Sequence, residues 1–336
     1  MSVTTNRIAQ LTVKERIREL STTAFWMTLV LLGLIAVFAL VTPNHAFWQI
    51  SNFQAMGRDA AIGLLLAVAM TYILGSGHLD LSIGANLVLS SVFGAKVMAG
   101  LSANTSLAMT ILIGFFACGI FGTLIGLING LLITKARVNS FITTLATGGI
   151  AAGMTLVVAN GADIAGVPSG VQLRFGVRNL SGIPLTIWIV SPVILILWVA
   201  MLKTRFGIKT LAIGSDRESA LRAGINVDRH VFVLFIMSGM LAGIAGFLDI
   251  TRFGSTNILG HTTDSLAAIA AVVIGGTSLF GGRASVGGTL AGSFIPIVLG
   301  TGLVIAGLPY YYQQAVVGAI LLVAVYLDQR RRERTQ

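Results

Sequence analysis

The chain has 336 residues, 55% of them hydrophobic and only 10% charged, with a mean hydropathy of +0.89. A soluble domain carries about 25% charged residues, so this balance excludes an ordinary soluble enzyme or binding module. The single cysteine, Cys118, excludes an intrachain disulfide, and the net charge of +10 takes its meaning from where the bases fall.

Residues 1–22 form a charged N-terminal segment in which RIAQLTVKERIREL sets Ile8, Leu11, Ile17 and Leu20 among bases. It fits either a short helix on the inner membrane surface or a charged tail. A transmembrane domain follows at 23–328, and a basic cytoplasmic tail at 329–336. Because about 20 apolar residues cross a bilayer core, hydropathy predicts about ten spans. They fall near 25–41, 57–74, 81–100, 106–133, 140–159, 183–202, 231–250, 263–280, 286–307 and 312–327. The first follows a long charged segment and reads as an uncleaved span rather than a signal peptide. The expected fold class is an all-α polytopic membrane protein of about ten transmembrane helices, some broken, with both termini cytoplasmic.

Two glycine-rich stretches interrupt the spans, LGSGHLDLSIG at 74–84 and IGGTSLFGGRASVGG at 274–288. LDLSIG lies weakly over GRASVG, the mark of an internal repeat, and paired interrupted segments point to a translocation site in repeat-built transporters. Polar groups at depth are few: Asp80, Ser82, Asn86, Asn129 and Asp264. Asp80, Ser82, Asn86 and Asp264 are the candidates for a translocation pathway. Asp80 is also placed to cap the span that follows it, and Lys96 to snorkel at the outer end of its span. The ladders Gly122-x3-Gly126-x3-Gly130, Gly239-x3-Gly243 and Gly288-x3-Gly292 predict tight helix packing.

With the N-terminus inside, 17 of the 22 Lys and Arg fall in cytoplasmic segments, as the positive-inside rule expects. The basicity is therefore topological, and no nucleic-acid partner is implied. There is no GxxxxGK[ST], no HExxH and no Cys/His cluster, so the chain holds no ATP site, metal site or cofactor of its own.

The longest cytoplasmic connection, 203–230, carries the run SDRESALRAGINVDRH. Ser215 with Glu218 forms a capping box, and Gly224 supplies a left-handed stop, predicting a two-turn helix over Asp216–Ala223. Glu218 and Arg222 stand at a favourable i,i+4 spacing. Ser219, Ala220 and Ala223 give a small-residue face beside Arg217 and Leu221, suited to docking in another protein's groove.

ESALRAG (218–224) resembles the EAA-x3-G loop of importer permeases of the ABC-transporter superfamily, with Ser219 in place of the first alanine. GSGHLDLSIG, GLLITKARVNSFITTLAT, VVANG and AAIAAVVIGGTSLFGGRASVGGTLAG are similar to ribose-type sugar permeases (carbohydrate uptake, second class) from about residue 50 onward. The resemblance implies a permease working with a second copy or a related permease in membrane lipid. An ABC ATPase subunit inside would hydrolyse the ATP, and a solute-binding protein outside would deliver the solute. It makes Arg217, Glu218, Ser219, Ala220, Arg222 and Gly224 the ATPase-coupling residues. The expected cargo is a neutral monosaccharide or polyol. The alternatives are a branched-chain amino-acid or nucleoside permease of the same plan, and an ion-coupled transporter using Asp80 or Asp264.

Overall fold

The computed structural model describes residues 13–101 and 105–308 and the isolated positions 312, 315, 318, 319 and 322. Twelve helices are described in chain order. They are α1 (Val13–Val41), α2 (Ile50–Gly75), α3 (Ile83–Ala99), α4 (Leu107–Thr134), α5 (Ser140–Ala159) and the short α6 (Ser169–Val171). After these come α7 (Leu185–Lys203), α8 (Arg205–Ser215), α9 (Arg217–Arg222), α10 (Val227–Phe253), α11 (Asp264–Ile274) and α12 (Val286–Ile305). Apart from a two-residue pairing of Asn179–Leu180 with Ile183–Pro184, the described fold is all-α.

Among the described residues, α2, α4, α5, α7, α10 and α12 are long and apolar enough to cross a membrane, while α1, α3 and α11 carry shorter apolar stretches. Nine expected spans thus meet an apolar helix; the tenth, 312–327, and the tail 329–336 lie almost wholly outside the described residues, as do residues 1–12. The boundaries shift for physical reasons. From Val13 the charged segment and the first span form one helix, not a separate interfacial piece. α2 begins at Ile50 rather than near 57, because its polar first turns find partners: Gln54 donates to the Gly182 carbonyl and Arg58 to the Val177 carbonyl. α11 stops at Ile274 rather than 280, where Gly275 and Gly276 follow, Gly276 at φ +91°.

α10 lies at the centre, packed on α2, α3 and α4. Glycine sets that closeness: a Cβ on Gly122 or Gly126 of α4, or on Gly239 or Gly243 of α10, would run into the facing backbone. Lipid tails are as apolar as leucine, so dispersion across such contacts holds membrane helices together. Gly288 and Gly292 of α12 pack in the same way on Gly275 and Ala271. α4, α5 and α7 leave apolar faces exposed, with Phe116, Ile150 and Ile196 among them. Lys96 is exposed in the last turn of α3, as its position predicts.

The two interruptions meet. The Gly282 amide donates to the Gly75 carbonyl at 3.1 Å. Ser82 and Ser285, which share a position in the weak repeat, occupy the N-cap of α3 and of α12. This junction, the 135–139 connection and α8–α9 share one end of the bundle, which gathers Lys135, Arg137, Arg217 and Arg283. The opposite end holds the start of α2, the end of α10 and the 254–263 connection.

Candidate functional site

At the basic end, α8 and α9 form an arm between α7 and α10. α8 was not anticipated in what read as a loop. Thr204 caps it, its hydroxyl accepting the Phe206 amide at 3.1 Å. The Thr210 hydroxyl lies 2.8 Å from His230 Nε2, which ties α8 to α10.

The expected capping box does not form. Ser215 ends α8, and the cap of α9 is Asp216, extended at φ −159°. Its carboxylate accepts the Glu218 amide at 3.0 Å and the Ser219 hydroxyl at 2.6 Å. The Ser219 hydroxyl first, then the amides of Ser219 and Glu218, hold the Asp216 carboxyl below the usual carboxylate range. A carboxylate one residue further on thus serves the first-turn amides, which leaves Ser215 free to continue α8, and α9 runs Arg217–Arg222 rather than Asp216–Ala223. The stop is where the sequence places it. Gly224 stands at φ +77°, and the Ile225 amide reaches back to the Ala220 carbonyl at 3.1 Å.

Two further expectations are corrected. Among the described residues Glu218 makes no ion pair with Arg222; the Arg222 guanidinium lies 3.5 Å from the Ser219 hydroxyl instead. Arg217 turns to Asp228 at 3.1 Å, and Asp228 also takes both terminal nitrogens of Arg137. Ala220 is only 3% exposed and seats α9 on its own chain. Arg217, Glu218, Ser219, Arg222, Ala223 and Gly224 are exposed, with Leu221 and Ile208 as exposed apolar side chains.

The arm's angle is fixed by glycine. A Cβ on Gly214 would collide with the Gly75 carbonyl oxygen and stand 2.6 Å from the Gly282 nitrogen. Three segments distant in sequence therefore touch backbone to backbone at the foot of the arm.

Deeper in the bundle, Asp80 and Ser82 are buried in one hydrogen-bonded brace, and Asn86 is buried one turn along α3. Asp80 accepts the Ser82 amide (3.1 Å), the Ser82 hydroxyl (2.6 Å) and the Ser238 hydroxyl of α10 (2.7 Å). Asn129 donates to Ser82 and accepts from Thr147, while Asn86 donates to the Gly122 carbonyl. The N-cap of α3 is thus Ser82 and not Asp80, which supports that start by holding the Ser82 amide and hydroxyl, and the brace joins α3 to α4, α5 and α10.

Asp264, the fourth pathway candidate, lies elsewhere. It lines a cavity of about 600 Å³ at the end opposite the arm, between α2, α10, α11 and α12. His261 stands between two acids there, its Nδ1 2.7 Å from Asp264 and its Nε2 3.1 Å from Asp249. Burial disfavours its charge, but the two carboxylates outweigh burial and hold this imidazole, in the 254–263 connection, up at about 10. Asp59 and Arg252 pair on the same wall. Asp249 is 1% exposed, and among the described residues neither of its oxygens has an aligned hydrogen-bond donor. Sequence reasoning passed over Asp59, Asp249 and His261. The signal was present, because Asp249 is an acid inside the expected span 231–250 and such residues mark function by default.

Comparison with known proteins agrees with the resemblance. Residues 54–325 match the family model described as branched-chain amino acid transport system / permease component. The ribose import permease of Escherichia coli strain K12 is 33% identical over 90% of this chain and 92% of its own length. That of Bacillus subtilis is 39% identical over 89% of this chain and 92% of its own. The L-arabinose ABC transporter permease of Azospirillum brasilense is 31% identical over 92% and 88%. No solved structure matches significantly. The chain belongs to the branched-chain amino acid transport system / permease component family, within its sugar ABC-transporter permeases.

Proposed function

We propose that this chain is the membrane-spanning subunit of a binding-protein-dependent ABC importer and carries a neutral monosaccharide or related polyol inward by alternating access. The observation that carries this reading is similarity along about nine tenths of the chain to permeases named for ribose, allose and L-arabinose. The arm supports it: α9 is capped at both ends, presents charge outward, and is built onto the core by glycine rather than left as a loose loop. Bases concentrated at the arm's end support a cytoplasmic position for it, where an ATPase subunit would seat on α8–α9. Closure of the ATPases on ATP would push the arm. The exposed faces of α4, α5 and α7 would meet lipid and a second permease copy, and the opposite end would meet the solute-binding protein.

Vesicles holding the permease with its ATPase and binding protein test this. Uptake of an uncharged monosaccharide should require ATP hydrolysis and ignore sodium and proton gradients. Uptake that survives ATP depletion and follows an ion gradient overturns the reading.

A further inference from the structure

We infer that the groove between α4, α7 and α10, at the end opposite the arm, holds one anionic phospholipid. Its acyl chain lies against Phe115, Phe175 and Phe247, and its phosphate is held by Arg174 and Arg178. The site goes beyond the import reading and does not depend on it.

The groove has a volume of about 240 Å³, and every residue lining it is apolar. α4 gives Ile111, Leu112 and Phe115, α7 gives Ile189, and α10 gives Phe247 and Leu248. Phe115 and Phe175 both meet Phe247 edge-on, with ring centroids 5.5 and 5.4 Å away. Phe247 and Leu248 are buried while Leu112 is half-exposed, so the groove opens on the apolar outer face of α4. Pockets for whole small molecules run about 300–1,000 Å³. A smaller, wholly apolar space on a lipid-facing surface suits a length of hydrocarbon chain.

The segment 170–178 runs from one wall of the groove to the other. A Cβ on Gly170 would stand 3.2 Å from the Leu107 side chain, at the start of α4, and one on Gly176 would run into the Thr251 carbonyl of α10. The Arg178 carbonyl accepts the Leu185 amide at the start of α7. From 164 to 185 the only charged residues are Arg174 and Arg178. Both are exposed, and among the described residues neither makes an ion pair. The other arginines at this end are engaged in the fold, Arg58 with the Val177 carbonyl and Asn179, and Arg252 with Asp59. Bases at the end away from the cytoplasm run against the positive-inside rule, so two without a protein partner call for an anion. Trp188, exposed in the first turn of α7 beside Ile189, marks the level of the lipid headgroups. A guanidinium holds a phosphate by two parallel hydrogen bonds. Hydrocarbon below and phosphate at the rim belong together in a phospholipid; a sugar has no chain for the groove, and a free phosphate leaves it empty.

The test uses the full chain, purified in a neutral detergent and titrated with phosphatidylglycerol or with phosphatidylcholine carrying the same acyl chains. Native mass spectrometry counts the lipid retained. One phosphatidylglycerol should stay bound, with an apparent Kd about tenfold below that of phosphatidylcholine. Arg174→Gln combined with Arg178→Gln should abolish that preference, while Arg174→Lys with Arg178→Lys should keep most of it. Ala108→Trp, which fills the groove from an exposed position, should remove the retained lipid with both arginines in place. Equal affinity for the two lipids overturns the proposal, as does a preference that survives the double glutamine variant. Phosphatidylglycerol retained by Ala108→Trp overturns the groove as the chain's seat. Displacement of the lipid by an equal concentration of inorganic phosphate assigns the bases to a free anion and overturns the phospholipid. Should the double glutamine variant lose recovery of the solute-binding protein and retain phosphatidylglycerol as before, the bases belong to a protein interface and the proposal is overturned.

Discussion

The two ends of this molecule are built from different materials. At the arm's foot, Gly75, Gly214 and Gly282 bring backbone against backbone. At the opposite end, acids, a histidine and an arginine pair with one another around an open cavity. A glycine contact has no rotamer through which to yield, so a displacement at one segment must move the others. Charged side chains around a cavity can turn and re-pair. One end is suited to passing on a push, the other to adapting to what enters. The buried brace of Asp80, Ser82, Asn129 and Ser238 stands between them and holds α3 to α10 while either end moves.

The contrast breaks most readily at Gly214. Gly214→Ala puts a methyl group into the Gly75 carbonyl oxygen. Overpacking costs about 1–3 kcal/mol, more when the obstacle is backbone. The arm should lift from its seat, and recovery of the ATPase subunit in a pull-down should fall by about tenfold or more, since each 1.4 kcal/mol is tenfold. Undiminished recovery would mean that the arm does not depend on the glycine junction.

Asp80 is expected to come next. Hydrogen bonds to a charged group contribute about 1.5–3 kcal/mol, and Asp80→Asn weakens three of them. Because these bonds hold helices together, membrane level and transport should fall in parallel. Transport that collapses at normal membrane level would give Asp80 a direct part in the pathway.

Gly224→Val is milder and cleaner. Nothing lies within 4 Å of the added Cβ, so the whole penalty is the left-handed φ of +77°, about 1–2 kcal/mol for a side chain. ATPase stimulation should drop while insertion continues. Gly224→Asn should recover much of it, since asparagine tolerates this conformation. Equal loss in both variants would show that something other than backbone conformation matters there.

These sites also show what the sequence made legible. Apolar run length announced nine apolar helices, six of them long enough to cross a bilayer; the glycine ladders announced the α4–α10 contact; and Gly224 announced a helix end. The cap was misplaced by one residue because Ser215 and Asp216 are both good capping residues, and only the extended backbone at 216 chooses between them. Ala220 was taken for a docking residue because composition cannot say which face of a six-residue helix meets its own core. Asp80 and Asp264 read alike as acids at depth, yet one is satisfied inside the brace and the other opens on the cavity. That distinction depends on Ser238, 158 residues from Asp80 and its neighbour only on folding, and on the turn that sets His261 against Asp264. α8 was missed because TRFGIKTLAIG carries neither the length of a span nor an obvious stop.

The smallest expected effect lies at the clamp where Arg137 and Arg217 share Asp228. All three side chains are well exposed, at 61%, 51% and 36%. Such pairs contribute about 0–1 kcal/mol each, so Arg217→Ala should shift the thermal stability of the purified permease only slightly. Arg137 carries a second, opposing feature. Its φ is +59°, a left-handed conformation that disfavours any residue with a Cβ. Arg137→Ala loses the ion pair and keeps the strain, whereas Arg137→Gly loses the pair and relieves about 1 kcal/mol or more of strain. Glycine also costs some chain entropy in the unfolded state, which trims that advantage without reversing it. The expected order of midpoint temperatures is therefore wild type near Arg137→Gly, with Arg137→Ala below both. Were the alanine variant the more stable of the two, the connection at 135–139 would be free to relax its backbone. The clamp would then hold the arm by charge alone.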